Sequence, residues 1–305
     1  MPCQHSVALH TKQLQVFLQT SSSGGTTTYG ISDVLEEIEL VDGNGTVRVF
    51  KKGEDEFNAA VVSMGMLGII TRVTFNLPKK YLVEGQEINK AEKNSCIQPD
   101  SNGHHGLLHK VLFNEHEYMH INWLPQQGIN RITEWTAKQV PYHLSEIKCK
   151  HPLESTALSN LAATAMRFGN IIDQHATHNR FLNYIKNTAL AAFMPLDEKT
   201  QFRDKWYVAL PIDDKANVDD LFDFQFGELW FPEKQMDEVM KRLRELFDKN
   251  PQASGNFIVE LYAAKQSPFW LSPSYGHHAF RVDLYWWKKM LAIQKTISAC
   301  FGKNY

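Results

Sequence analysis

The chain has 305 residues and a mass of 35.0 kDa, with 43% hydrophobic and 22% charged side chains, which gives room for two folded domains and excludes a disordered or fibrous chain. A net charge of −2, a pI near 6.7 and scattered Lys and Arg leave no electrostatic footprint for nucleic acid or anionic lipid. The four dispersed cysteines, Cys3, Cys96, Cys149 and Cys300, suit neither a zinc site nor a disulfide framework. No apolar run approaches the ~20 residues that cross a bilayer, and Met1 to His5 lacks the basic and apolar regions of a signal peptide.

In chain order, Gln13 to Thr20 reads as an apolar strand or turn that feeds the small-residue loop Thr20-Ser21-Ser22-Ser23-Gly24-Gly25-Thr26. A helix is expected over Ile31 to Glu39, with Ser32 or Asp33 as its cap. The run Asp42-Gly43-Asn44-Gly45 between two β-rich stretches then predicts a hairpin. A short helix over Glu54 to Val62 and a strand after Gly65-Met66-Leu67-Gly68 complete a first domain, closed by Pro78 near residue 80. Tyr81 to Ile88 restarts as a strand, and the polar stretch Lys90 to Gly106 is expected to be an exposed insertion.

Further strands are expected over Glu117 to Leu124, Arg131 to Lys138, Trp206 to Leu210, Phe222 to Trp230, Asn256 to Ala263 and Ala279 to Trp287. Helices are expected over Ser155 to Ala192, Glu233 to Asp248 and Lys288 to Ser298, the middle one opening just after Pro232. Strands mixed with helices over about 200 residues imply an α+β fold, with an antiparallel sheet covered on one face.

Four hydroxyl side chains beside Gly24 and Gly25 let main-chain N–H groups approach an anionic or carbonyl-rich ligand; a plain flexible turn has the same composition. His104, His105 and His109, or His175 and His178, have usable metal spacings, but no Cys or carboxylate completes a set, so no metal is expected. Ser21 to Ser23 lack the context of a nucleophile elbow, which leaves hydrolase chemistry unsupported.

The landmarks Thr20 to Gly25, Ile31-Ser32-Asp33-Val34, Val41-Asp42-Gly43-Asn44-Gly45 and Gly65-Met66-Leu67-Gly68-Ile69-Ile70-Thr71 occur in an order that resembles the second FAD-binding (PCMH-type) subdomain of the vanillyl-alcohol oxidase family. The strings Glu260-Leu261-Tyr262-Ala263-Ala264-Lys265 and Trp270-Leu271-Ser272-Pro273-Ser274-Tyr275-Gly276 are similar to the substrate domain of sugar-1,4-lactone and alditol oxidases. The resemblance implies a partial FAD-binding domain over residues 1–80 and a helix-covered substrate domain over 81–305. It makes Thr20, Ser21, Ser22, Ser23, Gly24, Gly25, Gly65, Gly68 and Ile70 candidates for holding FAD.

The chemistry so implied is removal of a hydride from a CH–OH group of a sugar lactone, such as D-arabinono-1,4-lactone, or of a polyol, with flavin accepting the hydride and oxygen the electrons. Glu260 matches the acid that binds substrate hydroxyls. Where relatives carry Arg two residues later, this chain has Tyr262, so Lys265 or Arg281 is expected to supply the cation; Glu260, Tyr262 and Lys265 form the candidate catalytic set. Gln225 and Glu228 are secondary candidates, and Trp270, Tyr275, Trp286 and Trp287 suit ligand contact or core packing equally.

Relatives carry a preceding subdomain that grips the pyrophosphate and a following His-Trp-Gly-Lys type segment, and neither is found in this stretch. The expected partner is therefore a small lactone or polyol, without nucleic acid or a membrane span, in the cytoplasm or at an intracellular membrane surface. A non-catalytic relative that binds a carbohydrate or a partner is the alternative, and an unrelated cytosolic enzyme sharing the sheet is a third reading.

Overall fold

A computed structural model describes residues 26–126, 128–147, 194–209, 224–254 and 258–287, together with Asn187, Thr188 and Ala191. The first unit holds a helical turn α1 (Ile31–Val34), strands β1 (Leu35–Val41) and β2 (Val47–Lys51), helix α2 (Asp55–Val61) and strand β3 (Ile69–Phe75). Its antiparallel sheet has the order β2-β1-β3. The hairpin forms where Asp-Gly-Asn-Gly places it. The Asp42 carboxylate accepts the amides of Asn44 and Thr46 and the Arg48 guanidinium, which holds it below the usual range, and Gly45 takes the left-handed φ of 78° that the turn needs.

The expected helix Ile31 to Glu39 is a correction, since only one turn forms before the chain becomes β1. A bulge in the pairing with β3 lies between Leu35 and Glu37, so Leu35 and Ile38 fall on one buried face at a spacing of three that mimics a helix. Two flanking strands satisfy the backbone of β1 on both edges, and that tertiary pairing overrides local preference.

The second unit comprises β4 (Tyr81–Ala91), helix α3 (Gly106–Lys110) running into a π-helical segment (Val111–Glu115), β5 (Tyr118–Leu124), β6 (Arg131–Pro141), β7 (Lys199–Lys205), the turn α4 (Trp206–Ala209), β8 (Phe224–Pro232), helix α5 (Met236–Lys249), β9 (Val259–Ala264) and β10 (Ala279–Trp287). Seven strands form one antiparallel sheet in the order β7-β4-β6-β5-β9-β10-β8. The strand expected over Trp206 to Leu210 is displaced: pairing with β4 takes Lys199–Lys205, and Trp206 turns away to stack on Tyr81.

The stretch Lys90 to Gly106 is likewise not an exposed insertion. Cys96 and Ile97 enter the core, and the Glu92 carboxylate accepts from the Trp123 indole at 2.8 Å and from Arg244 of α5 at 2.5 Å. The helices expected over Ser155 to Ala192 and Lys288 to Ser298 lie almost wholly outside the described residues.

Helix α5 covers one face of the large sheet with Met236, Val239, Met240, Leu243 and Phe247, spaced by three and four. These side chains meet Ile121, Ile132, Leu261 and Val282, which point from alternate positions of four strands. Leu243 is fully buried, so Leu243→Ala is expected to cost about 2–5 kcal/mol, measured by urea unfolding, with a loss under 1 kcal/mol counting against this packing. Among the described residues, no helix is long and apolar enough to cross a membrane.

Candidate active site

Side chains alternate across a strand, so the residues between those that meet α5 share the sheet's opposite face. Strand register lines them up in two adjacent rows. One runs Trp230, Arg281, Tyr262, His120, Trp135; the next runs Glu228, Asp283, Glu260, Asn122, Thr133, Asn89.

Arg281 lies at the centre. Its guanidinium donates to the Asp283 carboxyl at 2.6 Å, pairs with Glu228 at 3.3 Å, and sits 4.3 Å from the ring centre of Tyr262 and 5.5 Å from that of Trp230. Tyr262 and Tyr285 both donate to the same oxygen of Glu260, each at 3.0 Å. The His120 ring stacks between Trp135 and Tyr262, with centroids 5.1 and 5.6 Å away. Two hydroxyl donors fix the Glu260 carboxylate on a face rich in aromatic planes, an arrangement able to bind a small polyhydroxylated molecule.

Burial sets the charges here. It pushes the Asp283 carboxyl up to about 8, opposed by Arg281 and reinforced by Glu260 and Glu228. Burial, with Arg281 adding, pushes His120 down to about 3, so that ring is neutral. Burial and the adjacent Glu260 also raise the Tyr262 phenol, which stays protonated as a donor.

These shifts have opposite signs for stability. Folded Asp283 keeps a proton that the unfolded chain releases near 3.8, so its contribution is present at low pH and lost as pH rises to about 8. The His120 contribution is present above 6.5 and lost as pH falls towards about 3. From pH 6.5 to about 8 Asp283 acts without His120, and stability falls by up to about 1.4 kcal/mol per pH unit from this group. Asp283→Asn is expected to remove that fall in urea unfolding at the two ends of the window; an unchanged slope would refute the assignment.

The structure brings Glu260 and Tyr262 together and separates Lys265 from them. The Lys265 ammonium pairs with both carboxylate oxygens of Asp33, at 2.7 and 2.9 Å, and so ties the end of β9 to the first unit. Arg281, the other cation weighed in the sequence, lies inside the network. Gly65 has φ 77° in the turn that follows Met64, itself at φ 52°, and Met64, Met66, Leu67 and Ile69 are exposed. The close approach that requires glycine at position 68 is to the carbonyl oxygen of Val41, 2.3 Å from where a Cβ would stand. Ile70 pairs with Leu40 and packs on the first unit's core.

Thr20, Ser21, Ser22, Ser23, Gly24 and Gly25 lie outside the described residues. Just after them, the Thr26 and Thr27 hydroxyls donate to the carbonyls of Glu117 and Phe113, which fastens the loop's exit beside the start of β5. Asp283, His120 and Asn122 carry no motif that marks them in the sequence. The available signal was the alternation in Phe280-Arg281-Val282-Asp283-Leu284-Tyr285 and His120-Ile121-Asn122, which puts polar groups on one strand face.

Two clefts lie elsewhere. One, of about 570 Å³, is lined by Glu84, Thr136, Lys138, Gln201 and Arg203 among others; the second, of about 430 Å³, holds the pairs His104–Asp237 and His109–Glu233. Neither is lined by Glu260 or Arg281.

No family model matches the chain. Over 106 residues it is 35% identical to the probable L-gulonolactone oxidase 1 of Arabidopsis thaliana, a match that covers 32% of this chain and 16% of the relative. L-gulonolactone oxidase 5 of the same plant is 32% identical over 106 residues, again 32% of this chain and 16% of the relative. The chain thus spans about a sixth of the length of the curated relatives it matches.

Among solved structures, cholesterol oxidase from Brevibacterium sterolicum superposes with a TM-score of 0.62 at 12% identity, over 94% of this chain and 61% of that one. A second structure of that enzyme gives 0.58 at 11% identity, over 92% and 57%. The fold is therefore that of this cholesterol oxidase, an α+β chain with antiparallel sheets, as the sequence leads one to expect. In sequence, the matched stretch is similar to L-gulonolactone oxidases.

Proposed function

We propose that this chain works in an FAD-dependent oxidoreductase that oxidises a CH–OH group of a sugar-1,4-lactone, D-arabinono-1,4-lactone-like, or of a related polyol, with oxygen as acceptor, in the cytoplasm or at an intracellular membrane surface. Residues 1–80 contribute flavin-binding surface and 81–305 the substrate domain. The observation that carries this reading is Glu260, held by two tyrosine hydroxyls on an aromatic face beside the buried pair of Arg281 and Asp283.

FAD, when bound, accepts the hydride. The main chain of Thr20 to Gly25 and the open turn at Gly65 supply surface for the dinucleotide, and Gly68 and Ile70 hold β3 in place behind that turn. Glu260 accepts substrate hydroxyls, and Tyr262 and Tyr285 fix its orientation by donating to one oxygen. Arg281 places positive charge on the same face and leans on the Tyr262 ring. Lys265 acts at one remove, holding the end of β9 against Asp33.

The test is anaerobic addition of D-arabinono-1,4-lactone to the chain supplied with FAD. Bleaching of the flavin band is expected. Lactone binding without bleaching would overturn the oxidase reading in favour of a non-catalytic carbohydrate-binding relative.

A further inference from the structure

On the same sheet face, three buried polar atoms have no hydrogen-bond partner among the described residues: the side-chain carbonyl oxygen of Asn122, Oδ1 of Asp283, and Nε of Arg281. Two of them belong to the residues on either side of Glu260. Asn122 is the cross-strand partner of Glu260 on β5, and Asp283 is its partner on β10, so the two flank Glu260 on either side. Groups in such a row stand one strand spacing apart, roughly 4.5–5.5 Å between Cβ atoms.

Buried polar groups in folded proteins are satisfied almost without exception, so orphaned atoms gathered around an anchored carboxylate call for missing partners. Asn122 is half-buried, with its carbonyl oxygen shut off from solvent, and an amide carbonyl accepts hydrogen bonds but cannot donate them. Its natural complement is therefore a hydroxyl.

We infer that Asn122 is a specificity-determining residue that accepts a hydrogen bond from one hydroxyl of a vicinal diol whose neighbouring hydroxyl is bound by Glu260. The inference rests on the polyhydroxylated substrate class proposed above and narrows it to molecules with two adjacent hydroxyls. Amide and carboxylate on neighbouring strands offer two acceptors side by side. A site built to hydrogen-bond a hydroxyl rejects analogues that lack it, because its buried acceptor is then left bare.

The experiment measures binding, not turnover. D-ribono-1,4-lactone, which carries a vicinal diol, and 2-deoxy-D-ribono-1,4-lactone, which does not, are titrated calorimetrically into the whole chain supplied with FAD, for the wild type and Asn122→Ala. The expected result is roughly tenfold weaker binding of the first lactone by the variant, with the deoxy lactone bound equally by both proteins. Equal affinity of the two proteins for D-ribono-1,4-lactone would overturn the inference, as would an equal loss for both lactones, which marks a structural role or a gap filled by water. No binding of either lactone by the wild type also overturns it. Should circular dichroism show Asn122→Ala unfolded, Asn122→Ser carries the same comparison. Because affinity is read directly, lactone binding without flavin bleaching removes the oxidase reading and leaves the role of Asn122 standing.

Discussion

Replacing Glu260 by Gln is expected to slow lactone-dependent flavin bleaching by roughly 10²–10³-fold while leaving the fold intact. The substitution preserves shape and one carbonyl acceptor, but removes the charge that Tyr262 and Tyr285 converge on. Charge-assisted hydrogen bonds are about twice as strong as neutral ones, so both the tyrosine clamp and its grip on a substrate hydroxyl weaken together. Stopped-flow bleaching under anaerobic conditions measures this directly. A Glu260→Gln protein that bleaches at the wild-type rate would remove Glu260 from the site.

Arg281→Met is expected to cost about 3–5 kcal/mol in unfolding free energy. Methionine fills the volume over Tyr262 and Trp230 but leaves Glu228 and Asp283 without their counter-ion, and Asp283 is only 1% exposed. Loss of the guanidinium, which lowers the Asp283 carboxyl, pushes that carboxyl further up, so its proton lessens the cost where it is retained and the loss grows at alkaline pH. Urea unfolding of the variant at neutral and alkaline pH checks both statements. In the double variant Arg281→Met, Asp283→Asn much of the loss returns, since the orphaned carboxyl is gone; absence of any coupling would show that the two side chains act independently.

The parts of the fold that are legible in the sequence are those with local causes. Asp-Gly-Asn-Gly specifies a hairpin by turn geometry alone, α5 shows its buried stripe, and β10 announces itself as an alternating run, observed as Ala279–Trp287 as expected. Where the cause is distant, sequence reading fails. The bulge that makes β1 look helical exists because β3 pairs beside it, and the polar stretch after Ala91 is drawn into the core by Trp123 and Arg244, 31 and 152 residues away from Glu92. The helical segment from Gly106 to Glu115 carries no capping signal, and none was expected there.

The site divides in the same way. Glu260 and Tyr262 stand two apart on one strand and are visible as a motif. Asn122 joins them through strand register from a stretch of chain 138 residues before Glu260, Arg281 and Asp283 from the strand after it, and no local pattern encodes which strands become neighbours. Lys265 shows the converse, being adjacent to the motif in sequence yet drawn off it by Asp33.

The measurement that bears most directly on the account is the flavin spectrum and fluorescence of FAD on titration with the chain. A perturbed flavin band and quenched fluorescence that saturate with protein are expected. A chain folded by circular dichroism that leaves both unchanged, even in large excess, would contradict it.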